Sequence, residues 1–165
     1  MSSTNELREL LTGYCNNNMN IFDTEIAAID IHVVSVKNFL TKVSEDLRCE
    51  LLSSITDSVS HTLLTRAANK GHTELCVTLL SSLPPADRLK LILVNKLTAL
   101  HWAAYQGYTE TVSGILNCLT AEQQLKLLFT QDFRGNTALH YAALREHTET
   151  LKTLLANHTP EQPSG

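Results

Sequence analysis

Four residues capable of chemistry fall within eight positions of this chain. They are His101, Trp102, Tyr105 and Tyr108, in the stretch TALHWAAYQGYTE from Thr98 to Glu110. A neutral imidazole can accept a proton or hold a metal ion, and aromatic rings can wall a pocket around it. Gly107 could bend the chain to close such a site. The same residues could also be plain packing. The elements that hold them decide between these readings.

The chain bounds those elements. Its 165 residues suit one domain with a sizeable core. The formal net charge is −4, and no basic stripe marks a partner with a phosphate backbone, so nucleic acid is not an expected ligand. No apolar run approaches the roughly 18 residues of a membrane helix. The opening residues, MSSTNELRELLTGY, lack the charged and apolar regions of a signal peptide. Cys15, Cys49, Cys76 and Cys118 have none of the paired spacings of a metal or redox motif. Reduced thiols in an intracellular, cytoplasmic protein are therefore expected.

The opening stretch recurs. TALHYAALREHTE begins at Thr137, 39 residues after Thr98, and TLLTRAANKGHTE begins at Thr62, 36 residues before it. The alanine pairs 67–68, 103–104 and 142–143 fall in register, and a weaker copy places Ala27-Ala28 upstream. In that register Val36, Phe39 and Leu40 align with Cys76, Leu79 and Leu80. The same triplet returns as Val112, Ile115 and Leu116, then as Leu151, Leu154 and Leu155. An i, i+3, i+4 apolar triplet used four times is one helix face used four times.

Each unit then reads as an antiparallel helix pair. Thr98 caps a first helix, Leu100 with Ala103 and Ala104 forms its inner stripe, and Gly107 ends it in a left-handed turn. Thr109 is expected to cap a second helix, with Glu110 at its positive end. A third short helix follows in VSEDLRCELLSS, LPPADRLKLILV and LTAEQQLKLLFT. Thr120 and Gln123 have capping-box spacing and Pro85 suits a first turn. Leu89, Leu91 and Ile92, like Leu125, Leu127 and Leu128, are expected to cover the end of the stack. The link QDFRGNT needs a positive φ at Gly135, and the equivalent link NKLT is shorter.

The residues TALHWAA, TALHYAA, GHTE (Gly71 to Glu74) and DFRGNT (Asp132 to Thr137) resemble the ankyrin repeat, over roughly residues 22 to 158. The units exceed the common ankyrin length of about 33 residues, and with a third helix they resemble those of ankyrin effectors from intracellular bacterial pathogens. The resemblance implies an all-α ankyrin solenoid of about four repeats, with an extra short helix in each. The division is a capping helix and loop at 1–21, a degenerate repeat at 22–60, repeats at 61–96 and 97–135, and a last repeat at 136–165. Ser3 and Glu6 have capping-box spacing in the first segment. Glu146 departs from the pattern, standing where Gly71 and Gly107 stand. In the last unit NHTPEQ (Asn157 to Gln162) aligns with CLTAEQ (Cys118 to Gln123), so that unit is expected to be interrupted as its third helix begins.

The repeat answers the opening question. His101 and His140 share one register, and the resemblance implies that this histidine ties neighbouring loops together by hydrogen bonds. His72 and His147 share another register, at the entrance to the second helix, whereas His32, His61 and His158 have no repeated role. Trp102 and Tyr141 share one position, with Arg66 in the earlier copy, and partial burial between helices is expected there. Cys76 stands at an apolar core position and reads as a small buried hydrophobe. No zinc motif, Ser-His-Asp order, phosphate-binding loop or catalytic cysteine signature emerges, so no metal, cofactor or enzymatic activity is expected.

What remains is surface. The concave side of a solenoid is an extended binding face. The resemblance places partner contacts on the projecting loops and the exposed positions of the first helices. Those positions are Asn69, Lys70, Lys96, Leu97, Tyr105, Gln106, Phe133, Arg134, Asn136, Leu144 and Arg145. The expected function is an adaptor that binds another protein, in the setting of an effector delivered into a host cell and acting on a host protein. The rival is a targeting module whose catalytic part lies beyond residue 165.

Overall fold

The structure is a computed structural model, and it describes residues 33–158 apart from 35, 39, 55 and 57–59. The expected cap at 1–21, Cys15, the pair Ala27-Ala28, His32 and Phe39 lie outside the described residues. Residues 33–41 are helical where described. The helices after them are α1 (Glu45–Ser54), α2 (Leu63–Asn69), α3 (Thr73–Ser81), α4 (Pro85–Ile92) and α5 (Ala99–Gln106). Then come α6 (Thr109–Asn117), α7 (Ala121–Leu128), α8 (Ala138–Leu144) and α9 (Thr148–His158). Among the described residues pairing of β type is confined to one isolated bridge, Thr56 with Thr62, and no helix is long and apolar enough to cross a membrane.

The helix ends follow the local chemistry. Thr98 Oγ1 accepts the His101 amide at 3.3 Å, and Thr62 does the same for Thr65. Thr120 and Gln123 close a capping box before α7, and Pro85 occupies the first turn of α4. Gly71 and Gly107 turn the chain from first to second helix at φ of 75° and 78°. Glu146 is forced into the same turn at φ 60°, in a region where a Cβ is strained. Gly135 takes φ 82° in the last projecting loop, as its position requires.

Thr109 corrects an expectation. The residue flanking α6 is Tyr108, with no side-chain cap. The Thr109 hydroxyl instead meets that of Thr150 in the next repeat at 2.8 Å, and Thr73 meets Thr111 at 2.7 Å. Thr109 is already the first helical residue, one position past the place from which a hydroxyl caps the open amides.

Like elements stack on like. First helices α2, α5 and α8 form one layer, second helices α3, α6 and α9 the next, and α1 packs on α4. Ala67, Ala68, Ala103 and Ala104 are fully buried, which lets the first helices approach closely. The triplets Cys76-Leu79-Leu80 and Val112-Ile115-Leu116 are fully buried, as are Val36 and Leu40. Each such side chain contributes about 1.5–3 kcal/mol by leaving water.

The last repeat departs from this, because no described helix stacks on its outer side. Ala143 is exposed where Ala104 is buried, and Leu155 keeps 43% of its surface while Leu154 is sealed. Leu125 keeps 38% where its register mate Leu89 keeps 8%, so only Leu127 and Leu128 of that helix cover the stack as expected.

A second set of ties runs between repeats. Arg48 donates from Nη1 to the Ser82 carbonyl at 2.7 Å, and Arg88 repeats this toward the Cys118 carbonyl at 3.0 Å. Both place Nε on a carbonyl of their own repeat (Val43 and Leu83). Gln124 stands at the same register and satisfies only its own repeat, at Leu116 and Leu119. These arginines were legible as a repeated position in EDLRCEL and PADRLKL, but their carbonyl acceptors belong to the neighbouring unit.

Candidate functional site

The histidine of the opening motif is held from both sides. The Thr98 amide donates to His101 Nδ1 at 3.0 Å, which makes that nitrogen an acceptor and places the ring proton on Nε2. Nε2 then donates to the Asn136 carbonyl at 2.9 Å, in the projecting loop of the next repeat. Burial holds the His101 pKa below its ordinary value, against the pull of the Asn136 carbonyl. Both ring nitrogens are engaged, so the imidazole acts as a neutral tie between repeats. Thr65 holds the same register one repeat earlier and makes the equivalent tie through Asn95, at 3.0 Å. His140 makes only the local half: its Nδ1 accepts from the Thr137 amide at 2.9 Å, and its ring is exposed. The inter-repeat tie expected at both histidines is therefore present at His101 and absent at His140 among the described residues.

The loop that receives this bond is built on Asp132. Its Oδ1 accepts the amides of Arg134 and Asn136 at 2.9 Å each, and the Tyr141 hydroxyl donates to Oδ2. Burial pushes the Asp132 pKa up, but these hydrogen bonds outweigh it and the net shift is downward. The Tyr141 pKa rises, chiefly through its bond to that carboxylate. The backbone of Asn136, one of the expected contact residues, holds the loop through its amide and carbonyl.

Trp102 and Tyr105 lie three residues apart on one face of α5, and Tyr141 joins them from α8. Their rings meet edge to face, Trp102 with Tyr105 at 6.4 Å and Tyr105 with Tyr141 at 5.9 Å. His61 extends the row at 5.7 Å from Trp102. Leu97, His101, Trp102, Tyr105 and Tyr141 line a cavity of about 220 Å³. Trp102 and Tyr141 are half-buried between helices, as expected, yet they also wall this groove. Their i, i+3 and one-repeat spacing was the available signal.

The remaining expected contact residues lie on the same first helices and projecting loops. Arg145 lies over the Tyr105 ring at 4.5 Å and donates to its hydroxyl at 3.0 Å. Lys96 lies over the Phe133 ring at 5.3 Å. Phe133 and Leu144 are exposed, at 83% and 71%, and Arg134 is exposed beside them. Gln106 donates to Asn69 at 2.9 Å, joining two repeats across the same face. Lys70 is half-buried at the end of α2. A larger cavity of about 670 Å³ lies on the opposite side of the helix pairs, near Leu40, Val77 and Ser81. Among the described residues it gathers no aromatic side chain.

Among the described residues no group of His, Cys, Asp and Glu is placed to hold a metal ion. Burial raises the pKa of the thiols of Cys49, Cys76 and Cys118, all of them free, with Cys76 fully buried at its core position.

The family described as ankyrin repeats (3 copies) matches residues 26–126 and, in an overlapping placement, residues 64–163. No curated protein sequence matches the chain. Among solved structures, the crystal structure of the yeast ribosomal protein Rps3 in complex with its chaperone Yar1 holds a chain of similar fold. The TM-score is 0.65 at 20% identity, over 96% of this chain and 98% of that one.

Proposed function

Starting from a chain that belongs to the ankyrin-repeat family, we propose that it is a non-catalytic protein-interaction module, binding a partner through the face made by its first helices and projecting loops. The observation that carries this reading is the row Trp102, Tyr105 and Tyr141, ordered edge to face and flanked by exposed Phe133, Leu144 and Arg145. Aromatic and Arg residues dominate binding hot spots, and side chains already held in place lose less freedom on binding. The similar solved fold comes from a complex of a ribosomal protein with its chaperone, which is in keeping with this use. The long repeats support, as its setting, an effector acting on a host protein inside a host cell.

Capture from host-cell lysate, followed by affinity measurement on the recovered partner, tests the reading. Tyr105→Ala and Phe133→Ala should each weaken binding by more than about 1 kcal/mol without loss of helical content. Lys152→Ala, on the outer side of α9, should leave it unchanged. Equal binding by the first two variants, with loss in second-helix variants, would place recognition on the wrong face.

A further inference from the structure

Among the described residues the acids other than Asp132 and Glu146 are sorted by face and the bases are not: Arg48, Arg88, Lys90, Lys126 and Lys152 stand on the second and third helices. Arg66, Lys70, Lys96, Arg134 and Arg145 lie on the first helices and loops, around the aromatic row. The acidic residues Glu45, Asp46, Glu50, Glu74, Asp87, Glu110, Glu122 and Glu149 lie on the second and third helices. A chain of net charge −4 therefore presents a cationic rim on the face proposed to bind. Lys90 pairs with Asp87 and Lys152 with Glu149, both on outer helices, and neither pair draws on Lys96, Arg134 or Arg145. Asp132, the carboxylate beside the groove, is filled by the Tyr141 hydroxyl and two amides. Glu146 is confined to the turn after α8.

The groove itself selects among anionic partners. Its volume of about 220 Å³ falls below the range of about 300–1,000 Å³ for whole small-molecule sites, and suits one side chain. Its rings stand at 77° and 81° to one another, so they offer edges and a slot, with no flat platform on which bases could stack. A cationic anchor is disfavoured, because Arg145 already covers the Tyr105 face and Lys96 the Phe133 face. Those two contacts also hold the cations at the rim, ready for carboxylates.

We propose that the Trp102–Tyr105–Tyr141 groove docks a short acidic segment of another protein, seating one aromatic or large aliphatic side chain while Lys96, Arg134 and Arg145 pair with flanking Asp or Glu. This rests on the interaction face proposed above and names its partner chemistry.

The test is a selection of random twelve-residue peptides displayed on phage against the full chain, with binding of the synthetic winners read by emission of Trp102, the one tryptophan present. The winners should carry Asp or Glu around a single Phe, Tyr, Trp, Leu or Ile. Replacing those acids by Lys, or combining Lys96→Glu with Arg145→Glu, should weaken binding at least about tenfold, and added salt should weaken it further. Winners that are neutral or basic but lost with Tyr105→Ala overturn the acidic partner and leave the face standing. Winners indifferent to Tyr105→Ala overturn both. An empty selection overturns the linear segment, leaving the face to the lysate capture. Displacement of a winner by an equal concentration of a twenty-nucleotide oligo-dT overturns the choice of a peptide over a nucleic acid.

Discussion

His101 Nε2 sits 2.9 Å from the carbonyl oxygen of Asn136, one repeat further along, and this bond joins the buried layer of first helices to the exposed loop bearing Phe133 and Arg134. His140 has the same threonine on its Nδ1 and an exposed ring. His101→Ala leaves the buried Thr98 amide without its acceptor and the Asn136 carbonyl with the Asp132 amide alone, and should cost about 1–3 kcal/mol. His140→Ala should cost less than about 1 kcal/mol, since water replaces its contacts. Urea midpoints at constant slope check this, and equal losses would show that the inter-repeat bond adds nothing.

The same bond predicts a pH dependence. A second proton on His101 would have to enter at Nδ1, where the Thr98 amide already donates, and burial lowers the pKa from 6.5. The unfolded chain thus takes up that proton first, so stability rises with pH across this window. The contribution is complete above 6.5 and is lost as pH falls toward the lower folded value. Wild type should lose more stability than His101→Gln between about pH 7.5 and pH 5.5, in urea titrations of both. Asp132, with its pKa lowered from 3.8, adds a separate loss below that value.

Two positions in one register should respond with opposite signs. At Gly107 a Cβ would lie 2.6 Å from Nδ1 of His147, whose Nε2 is fixed on the Tyr105 carbonyl at 2.9 Å. With φ at 78° as well, Gly107→Ala should destabilise by about 2 kcal/mol or more. Glu146 pays the left-handed penalty already, at φ 60°. Glu146→Gly should raise stability by about 0.5–1 kcal/mol, the strain relieved less the entropy that glycine adds to the unfolded chain. Thermal melts of the two variants beside wild type check the signs, and a destabilised Glu146→Gly would contradict the shared turn.

Leu154 is sealed while the adjacent Leu155 keeps 43% of its surface. Leu154→Ala should cost about 2–5 kcal/mol through the cavity it leaves, and Leu155→Ala less than half of that. Chemical denaturation of the pair separates them, and equal costs would break the register assigned to α9.

Repetition made most of the fold legible. Thr98, Ala103, Ala104 and Gly107 recur at fixed spacing, and their roles of cap, close contact and left-handed turn depend only on backbone and side-chain type within one unit. The triplets that mark the second helix are equally local, because a helix places i, i+3 and i+4 on one face whatever lies opposite. Glu146 was legible as a break in the pattern for the same reason. Relations between units were not. Thr109 looks like a cap in its own repeat and becomes a lateral hydroxyl bond only once Thr150 is brought to 2.8 Å. His101 and His140 follow the same Thr-Ala-Leu in sequence, yet among the described residues only His101 finds a carbonyl for its second nitrogen, because that carbonyl belongs to the next loop. Along the chain Trp102 and Tyr141 read as one repeated half-buried position and Tyr105 as an exposed contact residue, whereas Tyr105 is half-buried in the fold. Stacking α8 on α5 makes them one wall, with Arg145 laid across it, because adjacency between repeats is a property of the stack and not of any single unit.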